Sequence, residues 1–318
     1  MLYYLWVIGM KKTKIFLEVN EIIEIIKLKG IRIDNDEKVK DILTKNNYYV
    51  IMGYKNLFLN KDNNYRDNVT FENIYNLYLF DRQLKLLLLN CLLDIENIIK
   101  TSITNRFCKI YGYKEDSYLD KSNYNTNHKY LQKTFNILKK QIEEKEDDNL
   151  AVSYYKNTYN FVPLWVITKV LSFGLIKEIY GILKDVDKIA IKDEISNFDD
   201  IKIKGLFTSM QLLVDMRNKT AHDEIVYNRR HRKIILSKTS EHNKYKLIGN
   251  DGLNDMLGVL ISMKNIQEKK SFNKLIDNIN DLINNYVKNN SIISKDELLK
   301  EMNLPNNFIE LKWELNKF

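Results

Sequence analysis

TFENIYNLYLFDRQLKLLLLNCLLDIENIIKTSI, residues 70–103, decides the fold class. Leu77, Phe80, Leu84, Leu87, Leu88, Cys91, Ile95, Ile98 and Ile99 recur at three- and four-residue steps, the period of one face of an α-helix. Thr70 stands in front of them as an N-cap, with Glu72 and Asn73 in the first turn. The stretch contains neither Gly nor Pro, so nothing in it interrupts a helix. It predicts one long helix, one of two at the centre of the protein. Cys91, and Cys108 beyond it, read as small buried apolar residues of that segment and suggest neither secretion nor a metal site.

The same economy of breakers holds outside this segment. The 318 residues include only 2 Pro and 10 Gly, with 44% hydrophobic and 29% charged side chains, the composition of a globular all-α protein and not of a many-turned β-sandwich or a disordered chain. Upstream, EVNEIIEIIKLK (18–29) predicts a short helix stopped by Gly30, and a second runs over about 34–45 from a cap at Asp34 or Asn35. Downstream, residues 112–160 are Asn- and Tyr-rich and carry EEKEDD (143–148), which predicts a solvated insertion with one helix near 128–146. Pro163 opens a helix through LWVITKVLSFGLIKEIYGIL (164–183), where Ser172-Phe173-Gly174 permits a bend or a close helix approach. A further long helix follows Lys204 and carries LFTSMQLLVDMRNKTAH (206–222); others are predicted over 251–268 and 271–288, and Pro305 interrupts the last pattern. The expected organisation is an N-terminal segment (1–17), a main domain (18–235) and a C-terminal helical appendage (236–318).

MLYYLWVIGM (1–10) is apolar, but Lys11, Lys12 and Lys14 follow the apolar run instead of preceding it, and the run is too short to span a bilayer. Residues 1–9 read as either an upstream mis-start, with Met10 the functional start, or a short terminal helix, and the chain as cytoplasmic with no membrane partner. Fifty Lys and Arg against 42 Asp and Glu give a net charge of +8, which favours anionic partners such as nucleic acid without requiring them.

Chemistry has few carriers. The four histidines, His128, His222, His231 and His242, stand at no metal-ligand spacing with one another or with the cysteines, and no H-E-x-x-H, P-loop, G-x-G-x-x-G or G-x-S-x-G occurs. No metal and no cofactor are expected. What remains is Arg217-Asn218-Lys219-Thr220-Ala221-His222, an R-N-x-x-x-H pattern at the end of an amphipathic segment. An Arg and a His five apart also fit an ordinary solvated helix end with a C-terminal cation.

The pattern resembles the R-x(4–6)-H signature of the HEPN ribonucleases. Much of the chain resembles the Abi-like (abortive infection, AbiD/AbiF) branch of that superfamily: KNNYYVIMGY (45–54), residues 70–103, YGYKEDSYLD (111–120), PLWVITKVLSFGLI (163–176), RNKTAHDEIVYNR (217–229) and EMNLPNNF (301–308) follow the family's order. The resemblance implies a HEPN-type helical bundle, an RNA substrate, a site shared between two copies in a homodimer, a role in defence against phage, and a small-RNA or antitoxin partner. It also implies catalytic roles for Arg217, Asn218 and His222. The family's second His after the motif is Asp223 here and the Arg two residues on is Ile225; its Arg after the Tyr-Tyr pair is Val50, and its Trp before Asn-Arg is Tyr227.

The residues suit RNA cleavage on chemical grounds. RNA carries its own nucleophile, the 2′-OH, so a site needs a group that moves a proton and a cation for the phosphate. Histidine titrates nearest neutrality of all side chains, Arg presents a permanently charged fork to phosphate oxygens, and Asn can orient either partner. On a straight helix, positions five apart point about 140° away from each other. Either the helix loosens near Thr220, or two chains together line one cleft. Asp81, Arg82, Glu96 and Asp223 are supporting candidates, with structural ion pairing the plainer reading of the first three. Tyr48, Tyr49 and Tyr54 suit base stacking or helix packing, and Arg229, Arg230, Arg232 and Lys233 suit an RNA backbone or a solvated turn. The alternative to an endoribonuclease is a protein of the same fold that binds RNA or a partner without cutting.

Overall fold

The computed structural model describes residues 16–314, the side chains of Glu146 and Asp147 excepted; the expected start at Met10 lies outside these residues. The described residues form helices joined by loops, with no β-strand among them. The extended pairings among these residues are two isolated bridges, Arg32 with Thr70 and Leu59 with Tyr65. The chain divides into two compact units, residues 16–79 with Lys288–Ile293, and Phe80–Val287 with residues 294–314.

In the first unit α1 (Val19–Leu28) closes its N-terminus with a reciprocal Glu18–Glu21 box and is followed by Gly30 at φ +83°, a conformation that Gly adopts without a Cβ penalty. Asn35, one of the two predicted caps, accepts from the Lys38 N–H and starts α2 (Asp36–Lys45), which packs on α1. The short α3 (Tyr48–Met52) then leads toward α4 (Phe71–Tyr111), a helix of 41 residues. Thr70 caps α4 as the sequence predicts, its hydroxyl accepting from the Asn73 N–H while its own N–H donates to the Asn73 carboxamide. Most of the predicted stripe is buried, with Leu77, Phe80, Leu84, Leu88, Cys91, Ile95 and Ile99 out of solvent, while Leu87 and Ile98 at its margin are half-buried.

In the second unit the insertion departs from the reading. After α5 (Glu115–Tyr118), α6 (Leu131–Asp148) is followed by an unpredicted helix, α7 (Leu150–Tyr159), which packs against it. Nor is the segment only a solvated one, since Tyr124, Phe135, Leu138 and Ile142 are buried. Asn149 supplies the break and the restart, accepting from the N–H groups of Ala151 and Val152. Pro163 caps α8 (Leu164–Val170), and Ser172 produces a full break instead of a bend: the backbone is extended at Leu171 and Ser172, and the Ser172 hydroxyl caps α9 (Phe173–Ile182).

α10 (Asp185–Ile195) leads to α11 (Ile203–Ala221), the motif helix, which packs on α9, α10 and α12 (Met256–Ile266). Its Leu206, Met210, Leu213 and Met216 are fully buried, each worth roughly 1.5–3 kcal/mol in transfer from water. α12 is buried on every face, and Lys264 within it is held by Glu241 at 2.9 Å and lies 4.4 Å from the Trp313 ring centroid. The motif helix and the segment after residue 236 therefore share one core. α13 (Lys269–Lys288) is strongly amphipathic, with Phe272, Leu275, Ile276, Ile279 and Ile283 inward, and α14 (Lys295–Glu301) begins at a Ser294–Glu297 capping box.

Candidate functional site

α11 keeps its helical bonding through the motif. The His222 N–H donates to the Asn218 carbonyl at 3.0 Å, and the Thr220 hydroxyl turns back to the Arg217 carbonyl at 2.8 Å, so the helix does not loosen at Thr220. His222 is the C-cap (φ −98°, ψ 14°), and Asp223 follows at φ +55°, the left-handed turn that ends the helix. Asn218 thus sits in the last turn with Arg217 just before it, and His222 stands at the end, where the unpaired carbonyls favour cations.

Each motif side chain has a distinct environment. The His222 imidazole is exposed and has no hydrogen-bond partner among the described residues. Arg217 is half-buried, with Nε 3.5 Å from Glu96 of α4 and Nη1 3.5 Å from the Asn218 carboxamide oxygen. Glu96 also holds Lys100, one turn further on, at 2.8 Å. The carboxylate therefore holds Lys100 closely and faces Arg217 as a looser ion pair without a hydrogen bond.

The turn after the motif is clamped from below. Asp81 is fully buried on α4 and accepts from the backbone N–H of Tyr227 at 2.8 Å and of Val226 at 3.3 Å. Lys85, also buried, lies 3.5 Å from Asp81 and pairs with Asp223. Asp223, which stands where the resemblance leads one to expect a second His, thereby ties the left-handed residue to the central helix. Lys85 was not among the sequence-predicted residues. Its signal was present, a lysine four residues after Asp81 inside an otherwise apolar stripe. Arg82, the neighbour of Asp81, is exposed.

The family comparison falls on this same region. The family described as Abi-like protein matches residues 41–228, more than half of the chain. The chain belongs to the Abi-like family. No curated protein and no solved structure matches it. The match runs through α11 and the motif to Asn228, and membership of this family points to abortive-infection defence.

Beyond Asn228 the Abi-like chain carries its basic run, and the structure separates its members. Arg229 faces Glu224 at 3.3 Å and Asp215 at 3.8 Å; Arg230 faces Asp251 at 3.1 Å and bonds Asn303. His231 is 3% exposed, with Nδ1 2.5 Å from Asp215, and this contact holds the Asp215 carboxyl below the usual carboxylate range. Arg232 and Lys233 are exposed and form no ion pair among the described residues. Of the tyrosines, all in the first unit, Tyr54 is fully buried with its ring edge-on to Tyr78, which removes it from any stacking surface. Tyr49 is 79% exposed, and the half-buried Tyr48 accepts from Lys29.

Among the described residues no cluster of three or more His, Cys, Asp or Glu has the arrangement to hold a metal ion, and no helix is long and apolar enough to cross a membrane. Burial pushes the Cys91 thiol up to about 12, so this cysteine is an inert packing residue. A hollow of about 200 Å3 beside Lys204 and Phe207 lies at the opposite end of α11 from Arg217, roughly 20 Å along the helix at 1.5 Å per residue.

Proposed function

We propose that this Abi-like protein is a metal-independent endoribonuclease of HEPN type, cytoplasmic and homodimeric, which restricts phage by cutting RNA. The observation that carries the reading is the exposed, uncommitted imidazole of His222 little more than one turn beyond Arg217, whose guanidinium lies 3.5 Å from Glu96. In the reaction the RNA 2′-oxygen bonds to phosphorus as the P–O5′ bond breaks. An imidazole takes the 2′-OH proton, and the departing 5′-oxygen receives a proton from water. The products are a 2′,3′-cyclic phosphate and a 5′-OH. Arg217 offsets the charge gathering on the phosphate oxygens, and Asn218, exposed beside it, orients substrate or imidazole. A proton-transferring group of this kind contributes roughly 10²–10⁴ in rate.

Because α11 stays helical to Ala221, Arg217 and His222 of one chain point well apart, and two motif helices facing each other supply both groups to one phosphate. The competing reading, RNA binding without cleavage, draws on the pairing of Arg217 with Glu96 and on Asp223 replacing a second proton-transferring residue. Purified protein incubated with end-labelled RNA in EDTA distinguishes them. His222→Ala and Arg217→Ala should each abolish cleavage and leave the helical CD spectrum and melting temperature nearly unchanged, since neither side chain belongs to the core. Cleavage by both variants at the parent rate, or none by the parent, overturns the nuclease reading.

A further inference from the structure

Between α4 and α8 lies an open groove of about 400 Å3, within the size range of ligand sites. Its α4 wall presents Asn97, Thr101 and Asn105, spaced by four and so on one face, over about 12 Å. The other wall is Trp165, 48% exposed with its ring tilted against Tyr113 at 5.2 Å, and Lys169 from α8. Lys100 joins the walls, pairing with Glu96 and donating to the Lys169 carbonyl at 3.3 Å.

Two properties distinguish this groove from ordinary surface. Many of the protein's other Asn side chains are committed, as Asn35, Asn47 and Asn149 are to helix caps, whereas Asn97, Thr101, Asn105 and the Trp165 indole N–H have no side-chain hydrogen bond among the described residues. The groove also reaches the motif, because Glu96 lines it and lies 3.5 Å from the Arg217 Nε. Lys100, Lys169 and Arg217 against the single Glu96 leave an excess of positive charge along this line.

We propose that the groove is a nucleotide subsite for single-stranded RNA that leads the chain to Arg217. Trp165 stacks one unpaired base, Lys169 and Lys100 face the adjoining phosphate, and the Asn97–Thr101–Asn105 strip meets base edges or ribose hydroxyls. The strand is single because an exposed indole stacks only on a base that is not already covered by its neighbours in a duplex. The inference rests on the RNA reading above and adds where the substrate lies and in what form.

The test uses the full chain carrying His222→Ala, a fluorescein-labelled 12-nucleotide RNA of mixed sequence in EDTA, and anisotropy over a salt series. Trp165→Leu should weaken binding roughly five- to a hundredfold, with Trp165→Phe intermediate because a smaller ring remains. Lys169→Gln should lower the log–log salt slope by about 0.7. Asn97→Ala/Asn105→Ala, at exposed positions that leave folding intact, should weaken binding without changing that slope. Parent-like affinity in all of these variants overturns the groove and leaves the nuclease reading standing. Groove-dependent binding with no cleavage by the His222-bearing protein supports the groove and overturns the nuclease. RNA that neither binds nor is cut overturns both.

Discussion

At the scale of the residue, the side chains near the motif divide into those that hold and those that face outward. Asp81 illustrates the first kind: with its carboxylate gone, two backbone N–H groups and the buried Lys85 lose a partner together. Leaving buried polar groups unpaired costs far more than an average hydrogen bond contributes, so Asp81→Ala should destabilise by about 3 kcal/mol or more. In a unit of this size that is a fall of roughly 6–12 °C in melting temperature. A melt unchanged from the parent would remove Asp81 from its role as clamp, and the contrast with the nearly silent His222→Ala separates holding from reacting residues. His242 gives a pH dependence. Its Nδ1 accepts from the Thr239 N–H at 3.0 Å and its Nε2 donates to the Gly252 carbonyl at 3.1 Å, so the folded protein keeps it neutral, and burial pushes its pKa below the ordinary value. The unfolded chain takes up that proton once the pH drops below about 6.5, so the stabilisation is complete above that pH and is lost as pH falls toward the depressed value. His128, also depressed by burial, acts in the same direction, while the contribution of Asp215 disappears only lower, through the carboxylate range. Melts at pH 7.5 and 5.5 should show the loss, and His242→Gln should show less of it; an equal loss in the variant would place the acid sensitivity elsewhere.

At the scale of the element, what was legible in the sequence followed the strength of periodicity and caps. α4 was readable because its apolar stripe is long and Thr70 and Asn73 mark its start; α2 was readable from Asn35. α7 was not, because AVSYYKNTYN mixes tyrosines on several faces and its start depends on Asn149, which terminates one helix and begins the next. Ser172-Phe173-Gly174 suggested a bend or close approach, yet a Cβ on Gly174 would meet only Val214 at an ordinary 3.9 Å. Close approaches fall instead on Gly181, further along α9, where an added Cβ would lie 2.9 Å from the Phe207 ring of α11, and on Gly258 of α12, where it would lie 2.8 Å from the Gly252 carbonyl oxygen and 3.2 Å from backbone carbons. Gly→Ala within a helix ordinarily gains up to about 1 kcal/mol, but the neighbours of Gly258 are backbone atoms with no rotamer to swing away, and overpacking costs about 1–3 kcal/mol. Gly258→Ala should therefore lower the melting temperature by several degrees; an increase would mean that the chain around Gly252 yields freely. The R-N-x-x-x-H pattern stands in the sequence, and Lys85 left a trace there as a lysine inside the apolar stripe of α4, whereas the groove positions of Lys100 and Trp165 depend on α4 meeting α8, a segment some sixty residues away.

At the scale of the whole molecule, the question is how many chains make one site. Arg217 and His222 diverge on an unbroken helix, so if each productive phosphate contacts the Arg217 of one chain and the His222 of another, two inactive variants can complement each other. A mixed dimer of Arg217→Ala with His222→Ala would contain one site with both groups intact and one with neither. After unfolding and refolding together, or co-expression, random pairing makes half of the dimers mixed, and about a quarter of the parent activity should return. Each variant alone should remain inactive at every ratio of enzyme to RNA. Light scattering at the same concentrations should give the mass of two chains. Sites built within a single chain would give no recovery in the mixture whatever its mass, and activity that stays constant as the protein is diluted to monomers would likewise assign the reaction to one copy of α11.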